Sequence, residues 1–113
     1  MKLNTRHVGP TFYTDYVVKD GETLEQIAKD QLHDKTLSSQ IKFKWDFSKN
    51  SPVEINGITA KGDTLLLPPL SSDFLSKHQA ASTVLNDLKM KADKETVTAD
   101  DYYAQRKLIL SVL

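Results

Sequence analysis

The stretch from Tyr16 to Ala28 constrains the fold more than any other part of the chain. Tyr16-Val17-Val18-Lys19 is a run of aromatic and β-branched residues and predicts a short strand. Asp20-Gly21 follows as a turn, because glycine accepts positive φ at little cost. Thr23 predicts a helix N-cap, and Gln26 three residues on completes a capping-box pattern. Leu24, Ile27 and Ala28, with Gln31-Leu32 beyond them, continue one helical face until His33-Asp34-Lys35 breaks it. A strand, a tight turn and a capped helix in direct succession predict a chain of mixed α and β structure.

Further along, Asp63-Thr64-Leu65-Leu66-Leu67 predicts a second strand. Pro68-Pro69 ends it, since proline cannot donate to a ladder. Ser48 to Lys61 reads as loop, punctuated by Asn50, Pro52 and Asn56-Gly57, with Gly62 following. Residues 36–47 support two readings. Thr36 suits a cap, and Leu37, Ile41 and Trp45 recur every four residues as one helical stripe would. Ile41 to Phe47 also alternates strictly, as a strand would. After Leu70 the pattern is helical. Phe74, His78, Ala81, Leu85, Leu88 and Ala92 trace one face. Asp93-Lys94-Glu95 is a polar turn, and Thr98 with Asp101 caps a last helix that carries Tyr102, Tyr103, Leu108, Ile109, Leu110, Val112 and Leu113. Met1 to Asp15 lacks clear periodicity and is broken by Gly9-Pro10. It reads either as a loosely ordered leader or as an arm that lies on a neighbouring chain. The expected organisation is an arm over 1–15, a small domain over 16–70 and a helical hairpin over 71–113.

Composition narrows function by exclusion. The 15 basic and 15 acidic residues cancel, and the hydrophobic share of 39% is that of an ordinary globular domain. Lys42, Lys44 and Lys49 alternate with aromatic residues, but Asp46 sits among them and no basic cluster forms, which argues against nucleic acid. The chain has no cysteine, so thiolate catalysis, disulfides and cysteine-ligated zinc are excluded. His7, His33 and His78 lack metal-ligand spacing, and no metal or other cofactor is expected. There is no nucleophile elbow, no phosphate loop and no zinc-protease helix, and Asp100-Asp101 are first-turn acids favoured by the helix dipole. A non-enzyme with no catalytic residues is expected. No run approaches the roughly 20 apolar residues of a membrane span, and the first residues lack the apolar core of a secretory signal. The expectation is cytoplasmic synthesis without export, and no membrane partner.

The order of elements, carried by Tyr16-Val17-Val18-Lys19-Asp20-Gly21-Glu22-Thr23-Leu24-Glu25-Gln26-Ile27-Ala28 and Ile58-Thr59-Ala60-Lys61-Gly62-Asp63-Thr64-Leu65-Leu66-Leu67-Pro68, resembles the LysM family. The resemblance covers about half the chain. It implies an α+β fold with a βααβ unit, its two strands pairing antiparallel with both helices on one face. The middle is longer than the family pattern, and Trp45, Phe47 and Pro52 depart from it. LysM domains usually bind N-acetylglucosamine glycans between the first strand–helix loop and the loop before the second strand. That groove maps to Asp20, Gly21, Glu22 and Thr23 opposite Asn56, Gly57 and Ile58. The alternative for Asp20, Gly21 and Thr23 is that they serve only the turn and the cap. Trp45 is either a stacking platform or core.

The ends suggest a second use. Leu108 to Leu113 is strongly apolar and needs cover, from its own hairpin or from another protein. Val8, Phe12 and Tyr13 on the arm, with Leu110, Val112 and Leu113, are the expected docking residues. Small LysM-like proteins without export signals resemble tail and baseplate components of contractile phages. That resemblance implies an adaptor among other proteins of a multi-subunit assembly, with the virion tail as its destination. The alternative is a peptidoglycan or chitin-type glycan binder, which a single weak module disfavours.

Overall fold

Gly9-Pro10 turns the chain back on itself, with Gly9 at φ +60°, the first central position of a two-residue hairpin loop. The flanking segments pair as β1 (Thr5–Val8) and β2 (Thr11–Val17). In the computed structural model, which describes residues 3–113, the expected arm is therefore mostly sheet. Thr, Val, Phe and Tyr favour the pleated state, and the tight loop supplies the register that the sequence pattern hides.

The protein is α+β. It divides into two compact units, Thr5–Pro69 and a helical unit of Leu70–Leu113 with the described residues Leu3 and Asn4. The first unit holds a five-stranded antiparallel sheet ordered β1-β2-β5-β3-β4, where β3 is Phe43–Asp46, β4 Ser51–Glu54 and β5 Thr64–Leu67. The front strand meets the later leucine strand in antiparallel register, Tyr16 opposite Leu65 and Val17 opposite Thr64. Val18 extends that ladder, its N–H donating to the Asp63 carbonyl and its carbonyl accepting from the Gly62 N–H, both at 2.9 Å. Helix α1 (Leu24–Leu32) is capped by Thr23, whose hydroxyl accepts from the Gln26 N–H at 3.2 Å. Its buried residues, Ile27, Ala28, Gln31 and Leu32, form one stripe.

Residues 36–47, open to two readings from pattern, divide. Lys35–Gln40 is a single 3-10 helix, so the segment between α1 and β3 holds no second α-helix. Its cap is Asp34 rather than Thr36. The Asp34 carboxylate accepts from the Thr36 N–H and hydroxyl at 2.9 and 2.6 Å. The strand reading holds beyond Ile41, because β4 and β5 give β3 a partner on each side. Ser51–Glu54, expected as loop, is strand in spite of Pro52. As the sheet edge it leaves proline's missing N–H without consequence.

The buried residues of this unit are Asp15, Tyr16, Val18, Ile27, Ala28, Gln31, Leu32, Ile41, Ile55 and all of Thr64–Leu67. β5 is thus buried on both faces, Leu66 as fully as Leu65, where a strand with one core face was expected.

In the helical unit, α2 (Ser72–Lys77) is capped by Ser71. The chain breaks at His78 before α3 (Gln79–Asp93). Thr98 caps α4 (Ala99–Ser111), accepting from the Asp101 N–H at 3.1 Å. Leu85, Leu88 and Ala92 of α3 and Tyr102, Tyr103, Arg106 and Leu110 of α4 are buried, with Arg106 donating to the Tyr102 hydroxyl at 3.1 Å. Among the described residues no helix is long and apolar enough to cross a membrane.

Candidate functional site

The residues of the expected groove fall into two sets with different local roles. On its strand–helix side, Gly21 takes φ +78° to make the turn. The Glu22 carboxylate accepts from the Tyr16 hydroxyl at 2.6 Å and from the Lys19 N–H at 2.8 Å. Thr23 caps α1. These residues tie the strand to the helix. On the other side, Asn56 and Gly57 line a pocket of about 260 Å³. Its remaining walls are Ser38, Ser39, Ile41, Lys42 and Glu54. Residues 20–23 are not among its walls, and Ile58 lies outside it, 76% exposed. The pocket has a buried apolar floor at Ile41 and a rim of hydroxyl, amide and charged groups. Chemically, that set can hydrogen-bond a neutral polar ligand.

A second cluster was not foreseen. Arg6 on β1 grips Asp15 on β2 with a fork, Nε to Oδ1 at 2.8 Å and Nη2 to Oδ2 at 2.8 Å. Its guanidinium lies 4.2 Å from the centre of the Trp45 ring and 5.4 Å from that of Phe47. β2 and β5 stand between β1 and β3. In a flat sheet that separation is about 14 Å, too far for upright side chains to meet. The contact therefore requires the sheet to curl toward this face, as a half-barrel. Tyr13 and Phe43 share the face, their rings edge-on at 6.3 Å. Trp45 is half-buried and serves as a wall of this cluster, while Phe47 is 66% exposed. The alternation of Phe43, Trp45 and Phe47 carried part of this signal, but the ion pair joins two positions whose pairing required the hairpin.

The expected docking residues separate by burial. Val8 and Tyr13 are half-buried. Phe12 is exposed and stacks edge-on to His7 at 3.9 Å. Leu110 is 1% exposed and belongs to the core of its own unit, since it falls on the α4 face with Tyr103 and Arg106. It is corrected from docking residue to core residue. Val112 at 82% exposure and Leu113 remain in solvent, joined by Leu108.

Two carboxylates titrate below the ordinary aspartate range. Asp34 is lowered mainly by the Thr36 hydroxyl, and Asp46 mainly by the Ser48 hydroxyl, with the N–H groups of Lys49 and Ser48 adding to it. Both shape turns. A depressed native pKa gives stability that is complete above the unfolded value and lost as pH falls through the native one. The Asp46 turn is therefore expected to loosen only below about pH 4, near the model-peptide value. Carboxyl NMR titration should show Asp46 moving up toward the ordinary value in Ser48→Ala, with Asp34 unchanged.

Compared with protein-family models, curated proteins and solved structures, the chain matches none.

Proposed function

We propose that the protein is a non-catalytic, LysM-like adaptor that docks onto other proteins of a larger assembly, of the phage tail or baseplate type. The observation that carries this is the Arg6 cluster: an arginine held by a bidentate carboxylate against Trp45, beside a Phe47 left two-thirds in solvent. Arginine and aromatic residues supply most of the energy at protein interfaces, and these are already ordered before any partner arrives. The loop that a sugar reader would use favours the same conclusion, since Glu22 and Thr23 are engaged in holding the fold.

The pocket at Asn56 and Gly57 favours a second reading, a glycan binder that works from one side of the expected groove. Sedimentation with insoluble peptidoglycan and purification of the tagged protein from its natural source separate the two. The adaptor reading expects wild type to stay in the supernatant and to purify in a complex of defined mass. Phe47→Asp should reduce that complex about tenfold, the loss of one modest interface anchor, without moving the unfolding midpoint. Wild type that pellets with peptidoglycan, is released by Ser39→Trp and purifies as a monomer overturns it.

A further inference from the structure

The two edges of the sheet are not equivalent. β4 carries Pro52, which cannot donate to an added strand. β1, Thr5-Arg6-His7-Val8, has no such guard. Its bonding is set by the hairpin. In a two-residue loop the flanking pair, here Val8 and Thr11, exchanges hydrogen bonds, and pairs alternate from there. Arg6 is therefore bonded to Tyr13, while the N–H and C=O groups of Thr5 and His7 point away from β2. Both residues are exposed, as an open edge requires.

From this we infer that β1 is a strand-addition site, and that its occupant is a short extended segment of a partner protein. A second copy of this chain fits poorly. Two β1 strands pairing antiparallel through Thr5 and His7 would set Arg6 directly opposite its own copy, where each guanidinium, already paired with Asp15, gains no cross-strand partner. A four-residue edge also falls far below the roughly 800 Å² per partner of a stable dimer. A short segment needs no such area, because its main-chain bonds to Thr5 and His7 give the register. The side chains beside the edge define its chemistry. On one face, His7 and Phe12 form an exposed shelf with their rings edge-on. The partner residue beside that shelf is apolar or aromatic. On the other face, the charge of Arg6 is already met by Asp15. The partner segment needs neither charge there nor proline along its length.

This inference rests on the adaptor reading and names the partner's form, and the two can fail separately. The test begins with selection of displayed random peptides of about ten residues, the length of a long strand, on the full chain. Recovered peptides should alternate apolar residues at every second position and lack proline. A synthetic member should bind the wild-type chain and lose affinity about tenfold with His7→Pro, through the loss of one outward bond and its neighbour. The His7 N–H bonds nothing in the sheet, so the substitution should leave the unfolding midpoint unchanged. Thr5→Pro is the second variant. Should both proline variants unfold, amide exchange on wild type decides: added peptide should slow Thr5 and His7 selectively. Failure to recover alternating peptides, binding indifferent to the edge variants, or exchange unchanged at Thr5 and His7 overturns strand addition. Self-association abolished by His7→Pro also overturns it, by giving the edge to a second copy. A natural complex that survives His7→Pro but is lost with Phe47→Asp removes strand addition and leaves the adaptor reading standing.

Discussion

Leu65→Ala and Leu66→Ala are each expected to destabilise the sheet unit by about 3 kcal/mol, the middle of the range for deleting a buried leucine side chain. The two side chains point to opposite faces of β5, and both are fully buried. β5 lies between β2 and β3, with Leu65 opposite Tyr16 on one side and Lys44 on the other. Neither cavity can collapse easily, because the strand is held by ladders at both edges. A strand with one core face would make only one of the two substitutions costly. Val17→Ala is the control: Val17 is exposed at the end of β2 and should change stability by less than about 0.5 kcal/mol. Urea unfolding followed by the fluorescence of Trp45, the single tryptophan, reads the unit directly. Equal losses for the two leucines would establish that both faces of the sheet are core. A loss confined to Leu65 would mean that the Leu66 face is dispensable.

That symmetry shows where sequence reading reaches its limit. Tyr16 to Ala28 was legible because every feature in it is local: the β-branched run, the turn glycine and the cap three residues from the N–H that donates to it. The cap at Thr98 was legible for the same reason. Leu66 was not, since a leucine run of three gives no sign of which faces are covered. The strand at 43–46 was one of two readings because Ile41 to Phe47 satisfies both periods, and only pairing with β4 and β5 decides between them. β1 was hidden by its shortness and its polar residues, which mark nothing until the Gly9-Pro10 turn supplies a partner. Of the candidate site, the fold keeps Asn56 and Gly57 together in a pocket and uses Glu22 and Thr23 elsewhere. The residues that complete the pocket come from the 3-10 helix, from the segment leading into β3 and from the end of β4, a juxtaposition made by tertiary structure.

The Arg6–Asp15 pair carries the second large effect. Its side chains keep 20% and 10% of their exposure, so it lies between a surface pair and a buried one. Exposed pairs contribute at most about 1 kcal/mol. Removing one partner of a fully buried pair costs about 3–5 kcal/mol, because the other charge is left unmet. Asp15→Asn is therefore expected to cost about 2 kcal/mol, between these limits. Arg6→Met should cost at least as much, since it strands the Asp15 carboxylate, the more buried partner, and also gives up the stacking on Trp45. The double variant Arg6→Met/Asp15→Leu should recover part of the loss of Asp15→Asn, since an apolar pair of similar size demands no charge compensation. Urea midpoints for the three variants close the comparison. Trp45 emission should shift in both variants that lack Arg6, because the guanidinium over the ring is gone. Losses below about 0.5 kcal/mol for every variant would class the contact as a surface pair, and the curl of the sheet would then have to come from its backbone twist rather than from this clamp. A loss near 2 kcal/mol for Asp15→Asn, with recovery in the double variant, would make the clamp the element that draws β1 toward β3 and holds Phe47 beside the open edge.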